Sequence, residues 1–359
     1  MFLKFLNLSF YKNFNSKKLN FDSKINCFIG NNGVGKSNIL DSIYHLAYGK
    51  SYFNPLSFQN INFESDFFAI EGHFKKKEKI EKIICGFKKG EKKIIKRNDI
   101  KYKKIYDHIG LIQTVMISPV DKDLISDGSF VRRKFIDSII GQIDKVYLKN
   151  LVEYKKVISQ RNSLLKFFAA NRTFDQETLA IYNHQLIKLT DPIFNKRKEF
   201  IFNFINIFKE IYNDINNKNE DVDIVYKSDL TDSKIEDILN NNIKLDKINQ
   251  HTTKGIHKDD LIFLIKKNSI KKFGSQGQQK TFLISLKLAK YFFIKSQTGN
   301  SPILLFDDAF DKLDQERVSL IIEKVKQNNF GQIFITDTHY ERTTSALSKN
   351  KSEYSIFEL

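Results

Sequence analysis

Residues 25–48 read INCFIGNNGVGKSNILDSIYHLAY, and this stretch decides the fold class of the chain. It opens with an apolar run at residues 25–29, which is typical of a buried strand that ends at a glycine turn. Residues 30–37, GNNGVGKS, match the phosphate-loop pattern G-x-x-x-x-G-K-[ST] in full. Residues 37–48 carry apolar side chains at helical spacing, so a strand, a glycine-rich loop and a helix are predicted in that order.

The predicted loop has the chemistry of a nucleotide phosphate site. Its glycines allow backbone N–H groups to turn toward one anion, and the following helix adds its positive N-terminal end. Lys36 is expected to reach the β- and γ-phosphates as a catalytic residue, and Ser37 to place its hydroxyl on Mg²⁺. The predicted nucleotide-binding residues are Gly30, Asn31, Asn32, Gly33, Val34, Gly35, Lys36, Ser37 and Asn38.

A second apolar run, ILLFDD at residues 303–308, ends in two aspartates. Asp307 is expected to hold Mg²⁺ through water, because a hard cation takes oxygen ligands. Asp308 is placed to polarise an attacking water and is the second predicted catalytic residue. The alternative is that Asp308 only caps the turn that follows.

The rest of the chain indicates an α/β protein with a helical middle. Residues 2–10 and 18–22 alternate as a hairpin does, and residues 67–117 predict a small antiparallel sheet. Apolar spacing over 141–215 predicts two long helices, whereas 213–250 read as loosely organised. Residues 303–306 and 333–336 predict buried parallel strands with a helical pattern between them.

Charge points to a polyanionic partner. The formal net charge is +17, and residues 75–104 hold fourteen Lys and Arg against four Asp and Glu. Such a stretch would attract nucleic-acid phosphates without reading bases; the alternative is a solvated, lysine-rich sheet edge. The predicted DNA-binding residues are Lys88, Lys89, Lys92, Lys93, Lys96 and Arg97.

Other global features narrow the class of protein. The two cysteines, Cys27 and Cys85, have neither zinc spacing nor a disulfide framework, so a reduced cytoplasmic setting is expected. No apolar run of about 18 residues occurs, so neither a membrane span nor a membrane partner is predicted.

Residues 275–280, SQGQQK, resemble the signature motif of ATP-binding-cassette (ABC) ATPases. The resemblance implies that Ser275, Gln276, Gly277 and Gln278 bind the γ-phosphate of ATP held by a second subunit, in an ATP-dependent homodimer. A plain serine N-cap for the next helix is the alternative. The same resemblance implies a coupling loop at Asp314, within Asp311 to Asp314, and a switch residue at His339, which could equally be a surface turn histidine.

Over nearly its whole length the chain is similar to the bacterial RecF family of recombination and repair ATPases. The similarity rests on these stretches: LNLSFYKNF, INCFIGNNGVGKSNILDSIYHLAYGKSY, VMISPVDKDLISDGSFVRRKFID, YKKVISQRNSLLK, GIHKDDL, GSQGQQKTFLISLKLA and ILLFDDAFDKLDQER. The sequence departs from the family where Ile256 and Lys258 replace a usual proline and arginine, and lysine cannot form a bidentate fork. Gln113 is a candidate for the lid-loop glutamine of the family. Two roles stay open for Arg132 and Arg133: they contact DNA, or they clamp acids between lobes.

The resemblance implies an ABC-type ATPase head without a long coiled coil. Lobe I would comprise residues 1–117 and 296–359, a mixed sheet with helices, and a mainly helical lobe II would comprise residues 118–295 and carry the signature. It implies an ATP-gated, DNA-binding dimer, a weak DNA-stimulated ATPase whose slow hydrolysis serves as a timer. Such a protein helps RecR and RecO to load recombinase at gaps, and it serves replication restart and SOS induction.

Three other classes of protein remain as alternatives. The first is an ABC-type ATPase subunit of a transport or chromosome-organising complex, and the second is a scaffold in which nucleotide is structural. The third is a small-molecule P-loop kinase, which has no use for SQGQQK. Their tests are cosedimentation with membranes and the response of oligomeric state to ATP.

Overall fold

The computed structural model describes residues 1–216, 220–308, 330–338 and 354–359. In these ranges the strands are β1 (Phe2–Tyr11), β2 (Phe14–Asn20), β3 (Ile25–Ile29), β4 (Phe67–Lys76), β5 (Lys79–Lys88), β6 (Ile94–Arg97), β7 (Ile100–Lys101), β8 (Thr114–Ile117), β9 (Val222–Lys227), β10 (Asp260–Ile265), β11 (Asn268–Ser269), β12 (Ile303–Asp307), β13 (Ile333–Asp337) and β14 (Tyr354–Glu358). The α-helices are α1 (Lys36–Tyr48), α2 (Ile105–His108), α3 (Asp123–Ser126), α4 (Ser129–Ile143), α5 (Lys145–Asn171), α6 (Gln176–Asn216), α7 (Ile235–Asn241), α8 (Ile243–Asn249), α9 (Ile270–Phe273) and α10 (Gln276–Thr298).

The chain divides into two compact units. Unit 1 comprises Met1–Asp121, Ile211–Lys218 and Lys280–Leu359, and unit 2 comprises Lys122–Glu210 and Asn219–Gln279. Most of α10 thus belongs to unit 1, whereas the predicted lobes assign it to lobe II up to residue 295. The assignment of lobes to functions stays a prediction.

Unit 1 contains two sheets with α1 packed between them. In the described ranges, one sheet is antiparallel in the order β2-β1-β4-β5-β6-β7, and the other is parallel in the order β14-β3-β13-β12-β8. Helix α1 contacts strands of both sheets through apolar residues such as Ile39, Leu40 and Ile43, which are fully buried. Because β3, β8, β12 and β13 run in one direction, the residues that follow them gather at one edge of the sheet, where α/β proteins bind ligands.

Unit 2 is mainly helical and has a small sheet in the order β11-β10-β9, so far as it is described. Its interior contains a buried ionic network around Arg197 of α6. The Arg197 guanidinium donates to Asp259 Oδ2 at 2.8 Å, to Asp137 Oδ1 at 2.9 Å and to the Ile256 carbonyl at 2.8 Å. The GIHKDD stretch therefore contributes Ile256 and Asp259, which are both buried, to the core of this unit.

Several sequence predictions are confirmed by these elements. The N-terminal hairpin pairs β1 with β2, and the strand at 25–29, the helix after the loop and the two long helices over 141–215 all form. Residues 303–306 and 333–336 lie in neighbouring parallel strands. The helical pattern predicted between those two strands falls outside the described residues.

Two predictions are wrong. Residues 114–117 do not join the antiparallel sheet: β8 pairs in parallel with β12, and all four of its residues are buried, as in a strand covered on both faces. Residues 222–249 are not loosely organised but form β9, α7 and α8. Buried apolar residues such as Ile224, Ile238 and Leu239 anchor these elements, and the many Asn and Asp residues around them concealed the pattern.

Candidate functional site

The phosphate loop links the end of β3 to the start of α1. Gly35 occupies the N-cap position of α1 with φ 107, a left-handed conformation that L side chains rarely adopt. A Cβ atom there would also lie 2.5 Å from the Phe14 ring. The amides of Asn38 and Ile39 donate to the Gly35 carbonyl at 3.0 and 3.1 Å, so the helix begins directly behind the loop. A close backbone turn of this kind is what a phosphate cradle requires.

Lys36 reaches back across this loop. Its Nζ donates to the carbonyls of Gly30 at 2.7 Å and Asn31 at 2.9 Å, and only 4% of the residue is exposed. These bonds use two of the three ammonium hydrogens. They hold a positive charge over the loop, where a phosphate oxygen would be attracted to it.

Asn13, which belongs to none of the predicted site motifs, supports the loop from the β1–β2 turn. Its Nδ2 donates to the Val34 carbonyl at 3.2 Å, and its Oδ1 accepts from Asn38 Nδ2 at 2.8 Å. The neighbouring Lys12 forms an ion pair at 2.6 Å with Asp41 of α1, whose side chain is fully buried. The stretch LNLSFYKNF carried part of the family resemblance, but no local pattern shows that its turn meets a loop about 20 residues later.

Asp307 meets the phosphate loop at the carboxyl edge of the parallel sheet. Its Oδ2 accepts from Ser118 Oγ at 3.0 Å and its Oδ1 from Thr336 Oγ1 at 3.1 Å. The Ser37 side chain lies beside this carboxyl group. Burial raises the pKa of Asp307 above its ordinary value of 3.8, and these hydroxyl hydrogen bonds act in the opposite direction. The two residues predicted to hold Mg²⁺ are therefore neighbours, although they are 270 residues apart in sequence.

Asp308 has a strained backbone. Its φ is 42, in the left-handed region that non-glycine residues rarely occupy, and its amide donates to Thr336 Oγ1 at 2.9 Å. Such strain costs on the order of 1–3 kcal/mol and is concentrated at functional sites. Its catalytic role stays a prediction, as does the alternative of a turn cap.

The candidate for the lid-loop glutamine does not lie at the carboxyl edge of the parallel sheet. Gln113 precedes β8, where its carbonyl accepts from Ile303 N at 2.7 Å and its Oε1 accepts from Thr298 Oγ1 at 3.2 Å. It therefore lies at the amino edge of the parallel sheet, and Ser118 is the residue beyond the other end of β8 that reaches Asp307. Asp311, Asp314 and His339 lie outside the described residues.

The SQGQQK stretch begins α10 with a capping box. Gln278 N donates to Ser275 Oγ at 3.2 Å, and Ser275 N donates to Gln278 Oε1 at 2.8 Å. Ser275 and Gln276 are exposed, and the Gln278 side chain also donates to Glu220 Oε1 at 2.8 Å. Ser275 is therefore the N-cap of α10. The contact of this motif with a second subunit stays a prediction.

The six residues predicted to contact DNA fall into two groups. Lys93 is half-buried and donates to the Gly49 carbonyl at 2.6 Å, and Arg97 holds Glu81 with two hydrogen bonds at 2.8 and 2.7 Å. These two side chains support unit 1 internally. Lys88, Lys89 and Lys92 are exposed near the β5–β6 turn, and Lys96 is half-buried.

Arg132 and Arg133 also have partners inside one unit. Arg132 forms a two-point contact with Asp260 at 2.7 and 3.0 Å, and Arg133 donates to the Asp259 carbonyl. Of the two roles left open, the Arg132 contact favours binding of an acid, here within unit 2. Lys258, which replaces the usual arginine of the family, is exposed.

Comparisons with known proteins agree with this arrangement. The sequence model of the family described as RecF/RecN/SMC N terminal domain matches residues 2–355. The chain is 54% identical to the DNA replication and repair protein RecF of Flavobacterium johnsoniae over 100% of both proteins. It is 43% identical to the protein of that name from Phocaeicola vulgatus, over 99% of this chain and 96% of the relative.

Solved structures share the fold. The recombination mediator protein RecF-ATP in the RecFOR pathway has a TM-score of 0.89 at 29% identity, over 99% of this chain and 95% of that chain. An Smc head bound to the C-winged helix domain of ScpA has a TM-score of 0.57 at 13% identity, over 96% and 92% of the two chains, which is a likeness of fold alone. Within the ranges that the structure describes, no helix has the length and apolar character to cross a membrane. The chain belongs to the bacterial RecF family of DNA replication and repair proteins and has the ABC-type head fold that this family shares with SMC proteins.

Proposed function

We propose that this chain binds ATP with Mg²⁺, hydrolyses it slowly, and uses the nucleotide to control a dimer that acts on DNA in replication and repair. The observation that carries the proposal is the contact between Ser37 and Asp307 below a loop spanned by Lys36. A magnesium-nucleotide site needs these groups together: a hydroxyl, a carboxylate and a cation beside a glycine cradle. ATP is the nucleotide named for the solved RecF structure.

The residues present fit this ligand pair. The left-handed turn at Gly35 brings the backbone close to where phosphates would lie, and Lys36 supplies positive charge above it. Ser37 offers a hydroxyl ligand and Asp307 a carboxylate that would hold the ion through water, and oxygen groups of this kind are what Mg²⁺ prefers. The ion, when bound, would neutralise charge on the β- and γ-phosphate oxygens. Asp308 would accept hydrogen bonds from the attacking water and orient it.

The signature motif supports a dimer. Ser275 stands exposed at the N-terminus of the 23-residue helix α10, where the N–H groups and the helix dipole attract an anion. We assign it the γ-phosphate of ATP held by a second copy of the chain. Such a contact would form only while ATP is bound, so the dimer would dissociate after hydrolysis. Slow, DNA-stimulated hydrolysis would then determine how long the dimer persists.

For the DNA contact we favour Lys88, Lys89 and Lys92, which are exposed close together in sequence. Phosphate contact by lysines is independent of sequence, which suits a protein that acts at gaps and junctions of any sequence. In recombinational repair, replication restart and SOS induction, the cytoplasmic partners would be RecR and RecO, by family resemblance.

The first experiment is the mass of the protein in solution by light scattering, without nucleotide, with ATP and Mg²⁺, and with short duplex DNA added. We expect a monomer that becomes a dimer with ATP, and does so more readily with DNA. A mass that responds to neither ligand would overturn the gated dimer, whereas labelled-ATP binding in the same samples reports on the nucleotide site separately.

The second experiment reverses three charges. Changing Lys88, Lys89 and Lys92 to glutamate should lower the magnitude of the salt slope of DNA binding by about 0.9 for each lysine that contacts phosphate. The matched control reverses Lys149, Lys166 and Lys234, which are exposed in unit 2. An unchanged slope in the first variant, or an equal change in both, would place the DNA site elsewhere.

A further inference from the structure

A buried ion pair stands behind the magnesium-site residues and has no role in the function proposed so far. Lys287 of α10 and Asp121 are 5% and 6% exposed, and Lys287 Nζ lies 2.6 Å from Asp121 Oδ1. The same ammonium donates to the Tyr52 hydroxyl at 2.9 Å and to the Met116 carbonyl at 3.1 Å. Its three hydrogens therefore have three partners, and the charge is fully compensated.

Asp121 in turn determines the backbone next to the site. Its Oδ2 accepts from Ser118 N at 2.8 Å, and its own amide donates to the Ser118 carbonyl at 3.0 Å. The Tyr52 hydroxyl donates to the other oxygen, Oδ1, which also accepts from Lys287. The turn after β8 is thus closed by one carboxylate, which Lys287 and Tyr52 hold in place.

Ser118 connects this turn to Asp307. Its backbone is bound by Asp121 on one side, and its Oγ donates to Asp307 Oδ2 at 3.0 Å on the other. Thr336 holds the second oxygen of Asp307 at 3.1 Å, so the plane of the carboxyl group is fixed from both ends. A movement of the Asp121 turn would be transmitted through Ser118 to the carboxylate that is predicted to hold Mg²⁺.

We propose that Lys287, Asp121 and Tyr52 are positioning residues for magnesium: they hold the Ser118 hydroxyl on Asp307 and so orient this carboxylate toward the ion. The inference rests on the proposed function of this site as a magnesium-nucleotide site. A merely structural ion pair would affect stability alone, and buried pairs contribute little net stability in general. What distinguishes this one is that the Asp121 carboxylate binds the backbone of Ser118, whose hydroxyl donates to Asp307.

The test measures the affinity for a fluorescent ATP analogue in EDTA and during Mg²⁺ titration. Ser118→Ala should raise the Mg²⁺ concentration for half-saturation about tenfold, because it removes one hydrogen bond to a charged group. Ser118→Thr keeps a hydroxyl and should stay within about twofold of wild type. Asp121→Asn and Tyr52→Phe should raise it several-fold, and affinity in EDTA should not change. Lys287→Met should have the same several-fold effect, and its matched comparison is Lys290→Met, since Lys290 is equally buried on α10 and donates to the Tyr48 hydroxyl.

The outcomes separate the two proposals. If the ATP affinity of the wild-type protein did not depend on Mg²⁺, the proposed function itself would be contradicted. The positioning role would be overturned if Ser118→Ala weakened the dependence on Mg²⁺ while Asp121→Asn and Tyr52→Phe left it at the wild-type level. A double variant, Ser118→Ala with Asp121→Asn, should match Ser118→Ala alone, and additive effects would mean that Asp121 acts by another route. If Asp121→Asn fails to fold, Tyr52→Phe decides the question.

Discussion

Changing Ser275 to aspartate distinguishes its role as the N-cap of α10 from its proposed role in binding the γ-phosphate of a second subunit. In the structure Ser275 Oγ accepts from Gln278 N at 3.2 Å as an N-cap. Aspartate is as good an N-cap as serine, so the stability of α10 should change by only a few tenths of a kcal/mol. If Ser275 also meets the γ-phosphate of a second subunit, the new carboxylate would stand against that phosphate. We therefore expect Ser275→Asp to fold normally, bind ATP and fail to dimerise.

The size of the effect follows from the charges. Two like unit charges about 4 Å apart repel by about 4 kcal/mol at the effective dielectric of a protein surface. That energy corresponds to about a thousandfold weaker dimerisation. Ser275→Ala, by contrast, should lose the cap at a cost of about 1 kcal/mol without adding charge.

The assay combines light scattering with ATP and Mg²⁺ and hydrogen exchange of the first turn of α10. Ser275→Asp should show slow exchange and no dimer, Ser275→Ala faster exchange and a weakened dimer. Ser275→Asn is the matched control, since it keeps a cap without charge. A dimer of Ser275→Asp as strong as that of wild type would refute the assignment and leave Ser275 as a helix cap alone.

Two further predictions address the cation of the loop and the core of unit 2. Lys36→Ala should weaken ATP binding about 10- to 100-fold by fluorescence titration, because a charge-assisted contact is lost, whereas exposed Lys18→Ala should not; equal affinities for the two variants would contradict the role of Lys36. Arg197→Met should destabilise unit 2 by about 3–5 kcal/mol, because it leaves buried carboxylates without their cation, whereas Lys196→Met should cost under about 0.5 kcal/mol. The Arg197 guanidinium is the foremost group that lowers the pKa of Asp137 in the folded protein. The pair therefore stabilises wild type fully above the pKa that Asp137 has in the unfolded chain, and this stabilisation is lost as the pH falls through its pKa in the folded protein. The Arg197→Met penalty, measured by hydrogen exchange in α4 and α5, should therefore shrink in acid; a penalty below about 1 kcal/mol, or one that grows in acid, would refute this account.

Local features could be predicted from the sequence because their signals are short. The strand at 25–29, the loop and α1 each show their own period or motif within about a dozen residues. The same holds for β12, whose apolar run ends at Asp307. Ser37 and Asp307, the two residues predicted to hold Mg²⁺, are recognisable for this reason, even though only the fold brings them together.

The support of the site could not be predicted, because its contacts join distant parts of the chain. Ser118 and Asp307 are separated by 189 positions, and Lys287 and Asp121 by 166. Nothing near Asn13 or Thr336 indicates a partner. Similarly, composition marks residues 75–104 as basic, but only the fold shows that Lys93 and Arg97 already have intramolecular partners.

The closeness of Ser37 to Asp307 has a consequence for how a metal would enter. Folding brings the two side chains together, because β3 and β12 belong to one parallel sheet and end at the same edge. If they hold Mg²⁺ as proposed, the ion would meet groups that are already in place before any nucleotide binds. Removing magnesium should then leave both side chains where they are, and the chain should bind magnesium and ATP again without refolding.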